Sequence, residues 1–88
     1  MDHEKEIADD LERFLRESFQ IPPDDAFFSR SVNLWEEGYV DSPGVLEVLG
    51  YLESRWRVQI PKEALFRPEF TCVDGIARVV AALAAESS

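Results

Sequence analysis

Apolar residues recur along this chain at helical spacing, on either side of one stretch that keeps its apolar residues but loses the spacing. Ile7, Leu11, Phe14 and Leu15 fall at i, i+4, i+7 and i+8, so a 3.6-residue helix gathers them into one stripe. Asp9, Asp10, Glu12, Arg13 and Arg16 take the other side. The pattern predicts a first helix over about residues 2–18, with acids at its start, where the helix dipole favours them.

From 19 to 41 the spacing lapses. Pro22-Pro23 stops helix propagation, and Asp24, Asp25 and Asn33 favour turns. Phe27, Phe28, Val32, Leu34 and Trp35 are too apolar for a solvated linker, so this long loop is expected to fold back over the helices. Loops of such length inside a compact chain usually carry function.

Helical spacing resumes at Asp41-Ser42-Pro43. Either Asp41 or Ser42 can cap the exposed N–H groups, and proline is tolerated at the first helical position. Val45, Val48, Leu49, Leu52 and Trp56 then line one face; Pro43, Glu47, Gly50 and Ser54 line the opposite, exposed one, with Leu46 on the border. Pro61 disfavours helix at Ile60. A single turn is expected over residues 62–66, closed by Pro68. The last helix is expected from Thr71 or Cys72 to Ala85, with Ile76, Val79, Val80 and Leu83 inward and Ala77, Ala81 and Ala84 allowing close packing. Thr71-x-x-Asp74 resembles a capping box with Asp in the acidic position. The β-like run Val58–Ile60 is too short to build a sheet. The expected fold class is all-α: a bundle of three main helices and a short third one, with the long loop between the first two.

A chain of 88 residues has room for one small domain, expected over 1–88 with an ordered core of about 4–85. A domain of this size buries only about 60–65% of its unfolded surface, which favours a functional surface over a deep pocket. Its net charge of −9 disfavours nucleic acid and anionic membranes and attracts partners with basic patches. No apolar run approaches the ~20 residues needed to span a bilayer, and no apolar signal core follows the first residues, so a cytoplasmic protein is expected. Cys72 is the single cysteine, so no internal disulfide forms; a buried, inert role is expected for it. The one histidine, His3, lies in a tail expected to fray, and no metal-ligand set is expected.

The charge changes the picture most around one serine. Residues 31–54 hold five acids (Glu36, Glu37, Asp41, Glu47 and Glu53) and no Lys or Arg. Ser42 stands among them at a helix start. As a nucleophile it would need a general base in reach, and His3 is poorly placed to serve. The nucleophile elbow needs Gly-x-Ser-x-Gly, and Val40-Asp41-Ser42-Pro43-Gly44 lacks the first glycine, so a serine hydrolase is not expected.

Gly38-Tyr39-Val40-Asp41-Ser42, the acidic helix that follows with Glu47, Ile60-Pro61, and Thr71-Cys72-Val73-Asp74 together resemble the acyl carrier protein superfamily, in order and spacing over nearly the full chain. Asp41-Ser42-Pro43-Gly44 and Arg67-Pro68-Glu69-Phe70-Thr71 are similar to stand-alone carriers such as the D-alanyl carrier proteins. Pro43 departs from the usual Leu or Met after the serine, and Gly50 from the apolar residue common on that face. The resemblance implies a four-helix acyl-carrier-like bundle that is not an enzyme.

It also implies a site and its partners. A phosphopantetheinyl transferase would attach 4'-phosphopantetheine from coenzyme A to Ser42, with Asp41 beside it. An acyl- or aminoacyl-loading ligase and a downstream transferase or synthase would meet Glu36, Glu37, Tyr39, Pro43, Leu46, Glu47 and Glu53. The expected form is a monomer. Fatty acyl, polyketide and amino acid cargo all stay open. The alternative is a carrier-like acidic docking module that is never modified, which Pro43 keeps in view.

Overall fold

In the computed structural model, residues 3–87 are described, without the Ser87 side chain; Met1, Asp2 and Ser88 lie outside. Four helices follow in order: α1 His3–Ser18, α2 Ser42–Trp56, α3 Lys62–Leu65 and α4 Val73–Ser87. No strand occurs among the described residues. The all-α helical bundle expected from the periodicity is therefore present.

Helix α1 buries the predicted stripe: Ile7, Leu11 and Leu15 are fully buried and Ala8 nearly so, while Phe14 is half-buried. It packs chiefly on α4, whose Val73, Ile76, Ala77 and Val80 complete the centre of the core. Helix α2 contributes Val48 and Leu52; Val45, Leu49 and Trp56, expected on the same face, are only half-buried at its edges. Leu46, expected on the border, is 71% exposed.

At α2 one of the two expected caps forms, with Pro43 one place later than expected, while the cap expected at α4 does not form. The N-cap of α2 is Asp41, whose carboxylate accepts the Gly44 N–H at 2.9 Å; Ser42 is the first helical residue and Pro43 the second. With Asp41 satisfying that orphan donor, the Ser42 hydroxyl is left without a capping role. At α4 the Thr71–Asp74 capping box does not form. Thr71 donates its hydroxyl to the Pro68 carbonyl, and Cys72 Sγ accepts the Gly75 N–H at 3.4 Å. Cys72 is half-buried and stands where a capping hydroxyl usually does, so it is not the buried residue expected.

The 19–41 segment folds back as expected, with one exception. Phe28 and Leu34 are buried and Val32 and Trp35 half-buried, but Phe27 is 84% exposed. Asp25 explains the difference: its Oδ1 accepts the N–H groups of Phe27 and Phe28, and the resulting turn sends the first ring outward and the second inward. Arg30 then straps the segment to α1 through Asp9 (2.6 Å) and Glu12 (2.7 Å), while its carbonyl accepts the Asp74 N–H at the start of α4.

Candidate functional site

Ser42 is exposed at the first position of α2. What holds it there is the stretch before it. Leu34 N–H donates to the Thr71 carbonyl at 2.7 Å, Trp35 Nε1 donates to the Phe70 carbonyl at 3.0 Å, and Val40 N–H returns to the Leu34 carbonyl at 3.2 Å. Asn33 Oδ1 accepts the N–H groups of Trp35 and Glu36, closing a turn that presents Glu36 and Glu37 to solvent. Residues 33–40 thus form a strap pinned to the chain just before α4, and its free end delivers Asp41 and Ser42.

Gly44 fixes the other side. It is buried, and a Cβ on it would lie 2.6 Å from Phe19 Cε1 and 2.9 Å from Val40 Cγ1. The start of α2 therefore sits directly against the ring that follows α1. A glycine in the first turn of a helix is locally unfavourable, and that cost was the signal available in the sequence for this close approach. Asp25 was legible as a turn former, whereas Arg30 and Phe19 carried no comparable signal, because each acts across elements.

The implied site residues separate into two groups. Asp41, Pro43, Leu46 and Glu47 lie exposed on α2 with Ser42, and Leu46 falls one turn beyond the serine on its side of the helix. Glu36 and Glu37 are exposed on the strap, six and five residues before Ser42 in the chain. Of the ion pairs between described residues, none uses Glu36, Glu37, Asp41 or Glu47; they engage Glu4, Glu6, Asp9, Asp10, Glu12, Glu17 and Glu69 instead. The acids near Ser42 therefore keep their full field. Tyr39 and Glu53 differ. The Tyr39 hydroxyl donates to Asp25 Oδ2 at 3.1 Å, and its ring meets Phe28 edge-on. Burial and the Asp25 carboxylate push its pKa above the ordinary phenol value. Glu53 accepts the Ile60 N–H at 2.9 Å and stands about 16 Å along the helix from Ser42. Both side chains are occupied in holding the fold.

The arrangement fits a covalent group on Ser42 but offers a poor cradle for a free anion. Of the N–H groups in the first turn, Pro43 has none, Gly44's is taken by the Asp41 carboxylate, and Val45's by the Asp41 carbonyl. Ser42's own N–H is what the turn leaves for a phosphate, and Asp41 opposes the dipole's attraction. Among the described residues no group of three or more His, Cys, Asp and Glu could hold a metal ion. No described helix is long and apolar enough to cross a membrane. A scan against protein-family models finds no match to the chain, and a search of curated proteins finds none either.

Proposed function

We propose that the chain is an acyl- or aminoacyl-carrier protein, modified at Ser42 with 4'-phosphopantetheine and delivering cargo among partner enzymes without catalysing a reaction itself. The observation that carries this reading is an exposed hydroxyl at the first position of α2, beside acids that no ion pair between described residues neutralises. In the attachment step the Ser42 oxygen bonds to the phosphate of the arm, the pyrophosphate bond of coenzyme A breaks, adenosine 3',5'-bisphosphate leaves, and the hydroxyl proton passes to the transferase's base. A phosphopantetheinyl transferase supplies base and metal for that step. Once attached, the arm supplies a terminal thiol that holds cargo as a thioester.

The chain's own residues do three things in this reading. Asp41 caps α2 and leaves the serine oxygen unencumbered. The strap and Gly44 fix where that oxygen stands. Glu36, Glu37, Asp41 and Glu47, with Pro43 and Leu46 as a small apolar contact, draw in basic patches on the transferase, the loading ligase and the downstream synthase. Tyr39 and Glu53 act through the fold, by way of Asp25 and Ile60.

Co-expression with a broad-specificity transferase and intact-mass measurement tests the reading. The expected result is a gain of one phosphopantetheine that disappears in Ser42→Ala. An unchanged mass with several transferases would favour the alternative, an unmodified acidic docking module, for which Pro43 beside the serine is the specific observation. Ester hydrolysis by the unmodified protein would contradict both.

A further inference from the structure

We infer that whatever Ser42 carries stays outside the helical bundle, and that its cargo is therefore short or polar: an amino acid, or an acyl group of a few carbons. The inference rests on the carrier reading, but its observations are separate. They concern the volume beneath Ser42 rather than the hydroxyl itself.

That volume is filled by rings. Phe19 stands against buried Gly44, 2.6 Å from where a Cβ would lie. Phe19 meets Phe14 edge-on at 6.4 Å, and Phe14 stacks on Tyr51 at 4.0 Å with the rings 11° apart. Beyond Tyr51 the seam between α1 and α2 is charged: the Tyr51 hydroxyl and Arg13 both donate to Asp10, Arg55 lies 3.7 Å from it, and the surface hollow of about 410 Å³ there is lined by Glu6, Asp9, Asp10, Arg13, Arg55 and Trp56, a setting that does not favour a hydrocarbon chain. On the inner side of α2, Val48 and Leu52 are 1% and 0% exposed, and Val73, Ile76 and Val80 of α4 are fully buried. A hydrocarbon chain entering from Ser42 must displace one of these side chains from a close-packed interior, which overpacks it.

A hollow of about 240 Å³ does exist between α3 and α4, lined by Pro61, Ala64, Val79 and Leu83 with the charged Glu63, Arg67 and Glu86 on it, but no residue of α2 lines it. The first turn of α2 offers a phosphate only the Ser42 N–H, so the arm is held by little beyond its covalent bond. A long saturated cargo on such an arm keeps its methylenes in water, and each one adds to the penalty. An amino acid or a short acyl group loses nothing by staying there.

The test separates this inference from the reading it rests on. In Ser42→Cys combined with Cys72→Ser, where serine keeps the α4 cap, the one remaining thiol is alkylated with ethyl, octyl and hexadecyl haloacetamides. In parallel the wild-type chain is loaded enzymatically with acetyl, alanyl and octanoyl pantetheine. The expected result is a melting midpoint and amide-exchange protection at Phe14, Leu15, Val48 and Leu52 that do not change with chain length. In a Phe19→Leu background, where room opens beneath Gly44, the midpoint should rise with chain length. A midpoint rising with chain length while Phe19 is present, or new protection at Ala64 and Val79, would overturn the inference. If no transferase modifies Ser42, the carrier reading fails and the cargo class falls with it, while the alkyl series still decides whether the interior is closed.

Discussion

A β-carbon placed on Gly44 meets Phe19 Cε1 at 2.6 Å, on Gly75 the Glu69 carbonyl oxygen at 1.6 Å, and on Gly50 nothing within 4 Å. One substitution therefore has three outcomes. Gly75→Ala must move backbone and should cost about 3 kcal/mol in denaturant unfolding. Gly44→Ala meets three side chains, Phe19, Asp41 and Val40, that can partly yield, and should cost about 2 kcal/mol. Gly50→Ala gains helix propensity in open solvent and should stabilise by about 0.5–1 kcal/mol. At the cap, Asp41→Ala should cost about 1 kcal/mol, because the Gly44 N–H loses its acceptor. Ser42→Ala, at an exposed position that caps nothing, should stay within about 0.5 kcal/mol of wild type. That makes it a clean control for modification, and a large loss on Ser42→Ala would mean the hydroxyl has a structural partner.

Among the elements, the strap over residues 33–40 is the one whose stability bears on the site. Trp35→Phe keeps the ring and removes the bond to the Phe70 carbonyl, so it should cost about 1 kcal/mol. Hydrogen exchange should rise at residues 34–40 more than in α1; an even rise across the molecule would show that the strap is not a local unit. The helices were legible in the sequence because each carries its own periodicity: Ile7, Leu11 and Leu15 needed no partner to declare a buried stripe. The acids around Ser42 were legible as composition. The strap was not, since Leu34–Thr71 and Arg30–Asp74 join residues far apart in the chain through backbone atoms, and Trp35 Nε1 finds its acceptor in a distant backbone carbonyl, none of which a side-chain pattern encodes. For Phe27 and Phe28 the turn former Asp25 was legible, but which of the two identical rings its turn would send inward was not. Cys72 as a cap was missed because sulfur is a weak acceptor and rarely takes that place.

For the whole molecule, pH acts from both ends. Bonding to Arg30 lowers the pKa of Glu12 below its ordinary 4.5, and the Phe27 N–H lowers Asp25 below 3.8. Groups depressed in the fold stabilise it above their unfolded values, and that contribution is lost as pH falls through the folded ones. Tyr39 and Tyr51 are raised above 10.0 by burial and by the neighbouring Asp25 and Asp10 carboxylates, so their contribution holds below that value and is lost as pH rises past it. A melting profile should therefore be flat through neutrality, falling below about pH 4 and again above about pH 10. Arg30→Gln should shrink the acid limb, because Glu12 loses the partner that depresses it. Salt acts differently: the unpaired acids near Ser42 should make association with a basic partner slow markedly between low and high ionic strength, while Glu12→Gln, whose carboxylate is already neutralised, leaves that slope unchanged.

All nine Lys and Arg residues lie outside positions 31–54, and most are tied to carboxylates on α1. Such a charge separation gives the molecule an electric moment as well as a net charge. Before any contact forms, a cationic surface within about a Debye length exerts a torque on it, turning the Ser42 end forward during diffusion. A protein this small can thus arrive already aligned, and fewer of its collisions are wasted.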